Sequence, residues 1–562
     1  MLAVSGCYLL TSSPGFDYYR DFISDRRNAI LSILDLPAVA MTNHSESSSE
    51  HLLPYARRPD FHVGRATELT GRQRRLYRLL EILPGLASWV TLIGVLLLSA
   101  FAPFVAAYFI IAFAIYWILK TFFLSYHLRY NWKRLRYNLQ VDWADRLQSM
   151  PHEHINHLVI LPFYKESFDV VNGSVKALAA AKTPSERILV VLAVEERAGE
   201  EAAAIARAVA NRWAGTFGAF LVSHHPSGLP GEMAGKGSNA AYAAEQARQQ
   251  ILDVKGLKYS EVLVSIFDID TVIYPDYFNC LTWHFLTAEQ PLKTSFQPIP
   301  VFNNNVWEAP ALSRVVAMSS TFWEMVQQER PERMATFSSH SVSFQALYEV
   351  GYWQRNMVSE DSRIFWNLFI ANNGDYRVIP LSYPVSMDAN VGRNLWQTIA
   401  QIYRQHRRWT YGVENFVYVI YHFAHNKEIS LRRRITIGLQ QAEGYWSLVT
   451  NPIMLFILGW APIFLGGQEF HQTVLSYNLP IMVRDLLIVA MFGLVFSSIV
   501  SLSLIPPRPD GASRFRYVVM ALQWIMVPAT MIIFSAIPGL DAQTRLMLGR
   551  YMGFWVTPKS RQ

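Results

Sequence analysis

Between Ile82 and Ser125 the chain carries one charged side chain, Lys120. A single helix of that length would far exceed the roughly 30 Å hydrocarbon core of a bilayer, which about 20 residues cross. Pro103 is the natural break, so two spans are expected, about 84–102 and 104–124. Further apolar segments lie at about 446–466, 485–505 and 516–537. A hydrophobic content of 51% with 17% charged residues argues against an ordinary soluble enzyme. The net charge of +7 could serve nucleic acid or anionic lipid. Arg and Lys cluster beside the apolar segments (Arg72, Arg74, Arg75 and Arg78; Arg129, Lys133, Arg134 and Arg136; Arg432, Arg433 and Arg434), which favours membrane lipids and no nucleic acid. The two cysteines, Cys7 and Cys280, suggest neither a disulfide framework nor a thiolate metal site. A multi-pass protein of the plasma (inner) membrane with a cytoplasmic body is expected.

The organisation follows. Residues 1–80 read as an N-terminal cytoplasmic segment, partly disordered around the Ser-rich Met41–Ser49. Residues 82–125 hold the two spans, and 126–440 form a polar block that ends in interfacial helices. Residues 444–537 are transmembrane or interfacial helices, and 538–562 form a tail. Within the block, "HLVILPF" and "RILVVLAVEE" are short apolar runs followed by Ala-rich helical patterns, and "AFLVSHH" and "SEVLVSIFDID" continue them. Buried parallel strands with helices on both faces are predicted, an α/β doubly wound, mostly parallel sheet inserted between transmembrane helices. In such sheets ligands bind beyond the carboxyl ends of the strands, where Glu195, Glu196, Asp268 and Asp270 fall.

Strand alternation would place Asp268 and Asp270 on one face, half of a site for Mg²⁺ or Mn²⁺. A lone acidic pair after a strand is also a common turn. "SEDSRIFWNLF" offers Ser359 as a helix N-cap with Glu360 and Asp361 in the first turn. Such a carboxylate can also act as a general base. In "YRQHRRWTYG", Gln405, Arg408 and Trp409 share a helical face, where Arg can clamp phosphate and Trp can stack on a sugar. Arg407 reads instead as a headgroup anchor.

Asp-x-Asp, Glu-Asp and QxxRW in that order, bracketed by membrane spans, resemble the membrane-integrated family 2 glycosyltransferases, which include the cellulose, hyaluronan and chitin synthases. "PFYKE" (Pro162, Tyr164, Glu166) is similar to the family's first nucleotide motif. "GKGSNAA" (Lys236, Asn239) resembles its Lys-Gly-Asn segment, and "FWVTPK" (Thr557, Lys559) resembles the gating loop of cellulose synthases. The resemblance implies a GT-A sheet and inverting transfer from a nucleotide-sugar, a UDP-sugar by preference, to a growing polysaccharide. A lipid acceptor or a catalytically inactive assembly subunit is the alternative. It implies Asp361, beside Glu360, as base. Donor contacts would come from Pro162, Tyr164, Glu166, Glu195, Glu196, Lys236, Asn239, Asp268, Gln405, Arg408, Thr557 and Lys559, with the divalent ion on Asp268 and Asp270. Trp409 would face the acceptor; His340, in "FSSHSVSF" (residues 337–344), would either face it too or be a satisfied structural histidine. Glu195 and Glu196 stand where the family usually has aspartates, and Ser359 replaces its usual Thr. "FDIDT" also satisfies a haloacid-dehalogenase phosphatase motif, but that class puts it on the first strand and leaves QxxRW unexplained. A gating tail must reach the cytoplasm, so the 516–537 segment, with Pro528 inside it and Pro538 after it, is expected to lie in or re-enter the cytoplasmic interface.

Overall fold

The structure, a computed structural model, describes residues 62–511 and 513–557; Cys7, the lead-in Met41–Ser49 and Lys559 lie outside the described residues. Eight strands form one sheet: β1 Asn156–Phe163, β2 Ile188–Glu195, β3 Ala219–His225, β4 Val262–Ile266, β5 Val272–Ile273, β6 Thr294–Val301, β7 Ser341–Ser343 and β8 Arg377–Ser386. Their order is β3-β2-β1-β4-β7-β6-β8-β5. β3, β2, β1 and β4 run parallel, β7 is antiparallel to both neighbours, β6 and β8 pair parallel, and β5 closes the edge antiparallel to β8. The expected α/β, mostly parallel arrangement is therefore present.

Period-two alternation explains why these strands read as unbroken apolar runs. On β1, Leu158 and Ile160 join Val191 and Val264 under the helices Lys236–Ala247 and Glu360–Ala371. Val159 and Leu161 face the other way, onto the helices Phe168–Ala179, Glu200–Trp213 and Tyr277–Thr287. Both faces are covered, so the only open ground is at the strand ends.

Helices Gly71–Phe101 and Pro103–Asn138 meet at Ala102, the break expected at Pro103. Both are long and apolar enough to cross a membrane, as is Phe515–Met547; Leu431–Phe456 with Leu458–Leu465 makes a fourth candidate if that pair, bent by 49°, is one span. The apolar stretch at 485–505 lies largely in the helix Val474–Ser503. Large side chains such as Val90, Ile93, Leu97 and Phe101 point outward at helical spacing, as a lipid-facing stripe does. Lys120 is not left alone: its Nζ donates to Glu443 Oε1 at 2.9 Å.

The expectation that Pro528 interrupts the 516–537 segment and Pro538 ends it needs correction. Pro528 and Pro538 do not stop the helix; each opens a new helical stretch, after a 3₁₀ turn at Gln523–Met526 and a π turn at Ile532–Ala536 respectively. Local changes of pitch accommodate the missing N–H groups, and the helix runs on to Met547. Its far end carries Asp541, which pairs with Arg407 at 2.9 Å and Arg545 at 2.7 Å. Arg407 is therefore a docking residue between two helices and not the headgroup anchor expected of it.

Ile160→Ala in the middle of the sheet is expected to destabilise the protein by about 2–5 kcal/mol. Val90→Ala on the outward stripe should cost under about 0.5 kcal/mol, because it leaves no cavity in a packed core. Thermal unfolding of the two variants side by side in detergent checks the order.

Candidate active site

The centre of the site is a lysine. Lys236 opens the helix Lys236–Ala247 beyond the strand ends, and its preceding loop is fixed by Glu232, which is gripped by His225 at 2.8 Å and by Arg355. Lys236 Nζ donates to Asp268 Oδ1 at 2.7 Å and to both oxygens of Asp361 at 2.9 Å. Burial pushes the Lys236 ammonium toward neutrality, but Asp268 and Asp361 outweigh it and hold its pKa above the ordinary lysine value. Two carboxylates separated by more than ninety positions thus share one buried cation. Ser338 Oγ donates to Asp268 Oδ2 at 2.6 Å, and Thr336 Oγ1 donates to the Asp361 carbonyl at 2.6 Å. Neither residue was singled out from the sequence; Ser338 lies within the stretch "FSSHSVSF" and Thr336 immediately precedes it.

Gly237 allows this approach: a Cβ there would stand 2.7 Å from the Gln354 carbonyl and 3.0 Å from Glu360 Cβ. Glu360 itself is fully buried, and neither carboxyl oxygen has a hydrogen-bond partner among the described residues. Burial, reinforced by Asp361 beside it, pushes the Glu360 carboxyl up to about 8. The Glu360 side chain packs against Gly237, whereas the Asp361 side chain keeps 21% of its surface exposed. Ser359 occupies the expected N-cap position, but its side chain makes no cap hydrogen bond; its Oγ donates instead to buried Glu414 Oε1 at 2.8 Å.

His340 fits the structural reading. It is fully buried, its Nδ1 lies 2.9 Å from the Phe337 carbonyl, and its Nε2 accepts from Trp353. Burial lowers its pKa to about 4. Its ring stands 3.9 Å from Asp361 Oδ1 and packs behind that carboxylate.

The other side is built by the helix Leu395–Thr410 and the tail. Gln405 is buried, with Asn390 Nδ2 at 3.4 Å from its Oε1. The Arg408 guanidinium sits 4.7 Å over the Phe554 ring, and its Nε is buried with no partner among the described residues. Phe554 also closes on the lysine loop, where a Cβ on Gly235 would be 2.6 Å from its ring. Thr557 is buried, and its Oγ1 has no partner among the described residues. Trp409 is 40% exposed and meets Phe302.

At the ends of β1 and β2, Tyr164 lies under the Arg197 guanidinium at 4.6 Å, and Arg197 pairs with Glu195. Glu196 accepts from Ser227 N and Oγ on the surface. Pro162 is on β1, while the Glu166 carboxylate accepts from Tyr164 N and Lys165 N and so shapes the loop. Asn239 is buried and its Nδ2 donates to the Ala193 carbonyl at 2.7 Å, a strand-to-helix tie.

β4 ends at Ile266, so Asp268 and Asp270 are set by a turn closed by Thr271 N to the Asp268 carbonyl at 2.8 Å. Strand alternation does not place them. Asp268 faces Lys236, and buried Asp270 accepts from Asp388 N at 2.9 Å. No group of three or more His, Cys, Asp or Glu side chains gathers into a complete metal cage among the described residues. Two hard carboxylates at a strand end still fit a Mg²⁺- or Mn²⁺-type ion that draws its remaining ligands from phosphate and water.

Because the folded Glu360 carboxyl holds its proton more tightly than the unfolded one, stability is expected to fall as pH rises from about 4.5 to about 8. The slope has an upper limit of about 1.4 kcal/mol per pH unit. Glu360→Gln should remove this contribution and gain on the wild type as pH rises; melting temperatures across that window check it.

Residues 263–538, just under half of the chain, match the family model described as glycosyl transferase family group 2. No curated protein matches the chain. Among solved structures, the mannosyltransferase PcManGT from Pyrobaculum calidifontis in complex with GDP-Man and Mn²⁺ is similar at 14% identity and a TM-score of 0.39, covering 79% of this chain and 100% of that one. S. aureus TarS 1-349 in complex with UDP-GlcNAc is similar at 12% identity and a TM-score of 0.32, covering 71% and 93%. The family match spans Asp268, Asp270, Asp361 and Arg408, and by it the protein carries a family 2 glycosyltransferase domain and is a glycosyltransferase.

Proposed function

We propose that the protein is a membrane-bound inverting glycosyltransferase that moves a sugar from a nucleotide-sugar, first to be sought among UDP-sugars, to a hydroxyl of a growing polysaccharide. The observation that carries this reading is the shared ammonium of Lys236, which brings an acceptor-side carboxylate, Asp361, next to a donor-side carboxylate, Asp268. In the proposed reaction Asp361 accepts the proton of the acceptor hydroxyl as that oxygen attacks the anomeric carbon. The bond from that carbon to the diphosphate oxygen breaks, and the configuration inverts. Arg408 and Thr557, whose buried Nε and Oγ1 lack partners among the described residues, would receive the leaving diphosphate. Tyr164 with Arg197 and Glu195 offers a stacking and hydrogen-bonding platform for the nucleobase. Trp409, half-exposed at the end of its helix, suits the acceptor sugar.

Asp268 and Asp270 would hold a divalent ion, which when bound neutralises charge on the diphosphate. Lys236 would then have to share or release Asp268. The cytoplasm is the proposed side for this domain, because nucleotide-sugars are made there and the basic clusters flank the spans.

Nucleoside diphosphate release from a panel of nucleotide-sugars by the purified protein tests the reading, and no release with any donor would contradict it. Asp361→Asn is expected to cut transfer by about 10²–10⁴-fold while nucleotide binding survives, since the base acts on the acceptor. Excess chelator should abolish turnover, and Mg²⁺ or Mn²⁺ should restore it.

A further inference from the structure

Residues 62–66, before the first apolar helix, thread between the site and the tail. Val63 O accepts from Arg363 Nη1 at 3.2 Å, two positions after Asp361 on the same helix. His62 O accepts from Gln354 and Asn356, at 3.1 and 2.9 Å. Ala66 N donates to Glu81 Oε1 at 3.0 Å. Glu81 is buried and receives the Tyr551 hydroxyl at 2.9 Å and Arg78 at 2.6 Å. Arg65 stands at the crossing: its Nη2 donates to the Met552 carbonyl at 3.1 Å and lies 3.7 Å from Met233 Sδ, and its guanidinium stacks 5.1 Å from the Tyr551 ring. Met233 belongs to the loop that leads to Lys236, and Met552 lies two residues before Phe554.

We propose that Arg65 is a positioning residue for glycosyl transfer: through Tyr551 and Met552 it holds the tail down so that Phe554 seats on Gly235 and Arg408. The role in transfer rests on the function proposed above. The physical argument is independent of it. The stretch from Tyr551 to Thr557 forms no helix or strand of its own, so its seat depends on side-chain contacts made by its neighbours. A cation–carbonyl hydrogen bond, a cation–π contact and a tyrosine–carboxylate bond converge on two consecutive tail residues. All three originate in residues 65–81. The same strap touches the helix of Asp361, so base and tail share one brace.

The test uses the full chain in detergent with Cys7→Ser, buried Cys280 retained, and Val556→Cys as a reporter of tail seating. Arg65→Ala is expected to speed maleimide labelling at position 556 by about tenfold, the scale of one lost hydrogen bond from a charged donor. In the protein without the reporter, Arg65→Ala should raise the donor KM by about tenfold with kcat changed less than about threefold, and Arg65→Lys should recover part of both. Tyr551→Phe, which deletes one hydroxyl, should speed labelling in the same direction and keeps the test open if Arg65→Ala folds poorly. Unchanged labelling in both variants would overturn the brace. Faster labelling with unaltered KM would overturn its role in transfer. If no nucleotide-sugar is turned over by the wild type, the function proposed above fails, and the labelling arm still decides whether the strap holds the tail.

Discussion

A buried ammonium between two carboxylates is the interaction on which the site depends. Taking Lys236 out of water costs several kcal/mol, and the cost is offset only because Asp268 and Asp361 both reach it within hydrogen-bond distance. The contact joins the turn after β4 to the start of the helix Glu360–Ala371. It also fixes the loop on which Phe554 closes. Removing the lysine would leave two carboxylates facing one another across a partly buried space, so the cation organises the site as well as neutralising it.

Around this centre, buried polar groups are tied through the backbone of remote segments. Arg363, with no exposed surface, donates to Asn415, Gln354 and the carbonyls of Val63 and Glu414, and lies 3.9 Å over the Tyr418 ring. Four separate stretches of chain meet at that guanidinium. Arg78 does the same at the membrane-proximal end, donating to the carbonyls of Leu546 and Met547 at the C-terminus of the last long helix. Cations at helix C-termini complement the helix dipole as well as unpaired carbonyls. The apolar helices and the catalytic sheet are therefore joined by the same kind of contact that builds the site.

Much of the frame was legible in the sequence because its signals are local. Unbroken apolar runs gave β1, β2 and β4, and Pro103 gave the break between the first two long helices. The motif order pointed to Asp268, Asp361 and Arg408 before any distance was known. Most of the corrections involve partners far away in the chain, whereas strand alternation fails for Asp268 and Asp270 because a local turn follows β4. Arg407 looked like a headgroup anchor because Asp541 is 134 positions distant, and Ser359 looked like a cap because Glu414 could not be seen behind it. His340 could be read either way because burial is not written in "FSSHSVSF". Pro528 and Pro538 looked like breaks because the 3₁₀ and π turns that absorb them depend on packing. Arg65 carried no motif at all; its importance comes only from what folds against it.

The central claim is that donor and acceptor chemistry meet at the Lys236 cluster. A structure of the protein with a nucleoside diphosphate and Mn²⁺, with the metal located by its anomalous signal, tests it most directly. The account predicts manganese at Asp268 and Asp270, the diphosphate between them and Arg408, and Lys236 turned from Asp268 while still on Asp361. Diphosphate or metal bound away from these residues, with the Lys236 bridge unchanged, would contradict it.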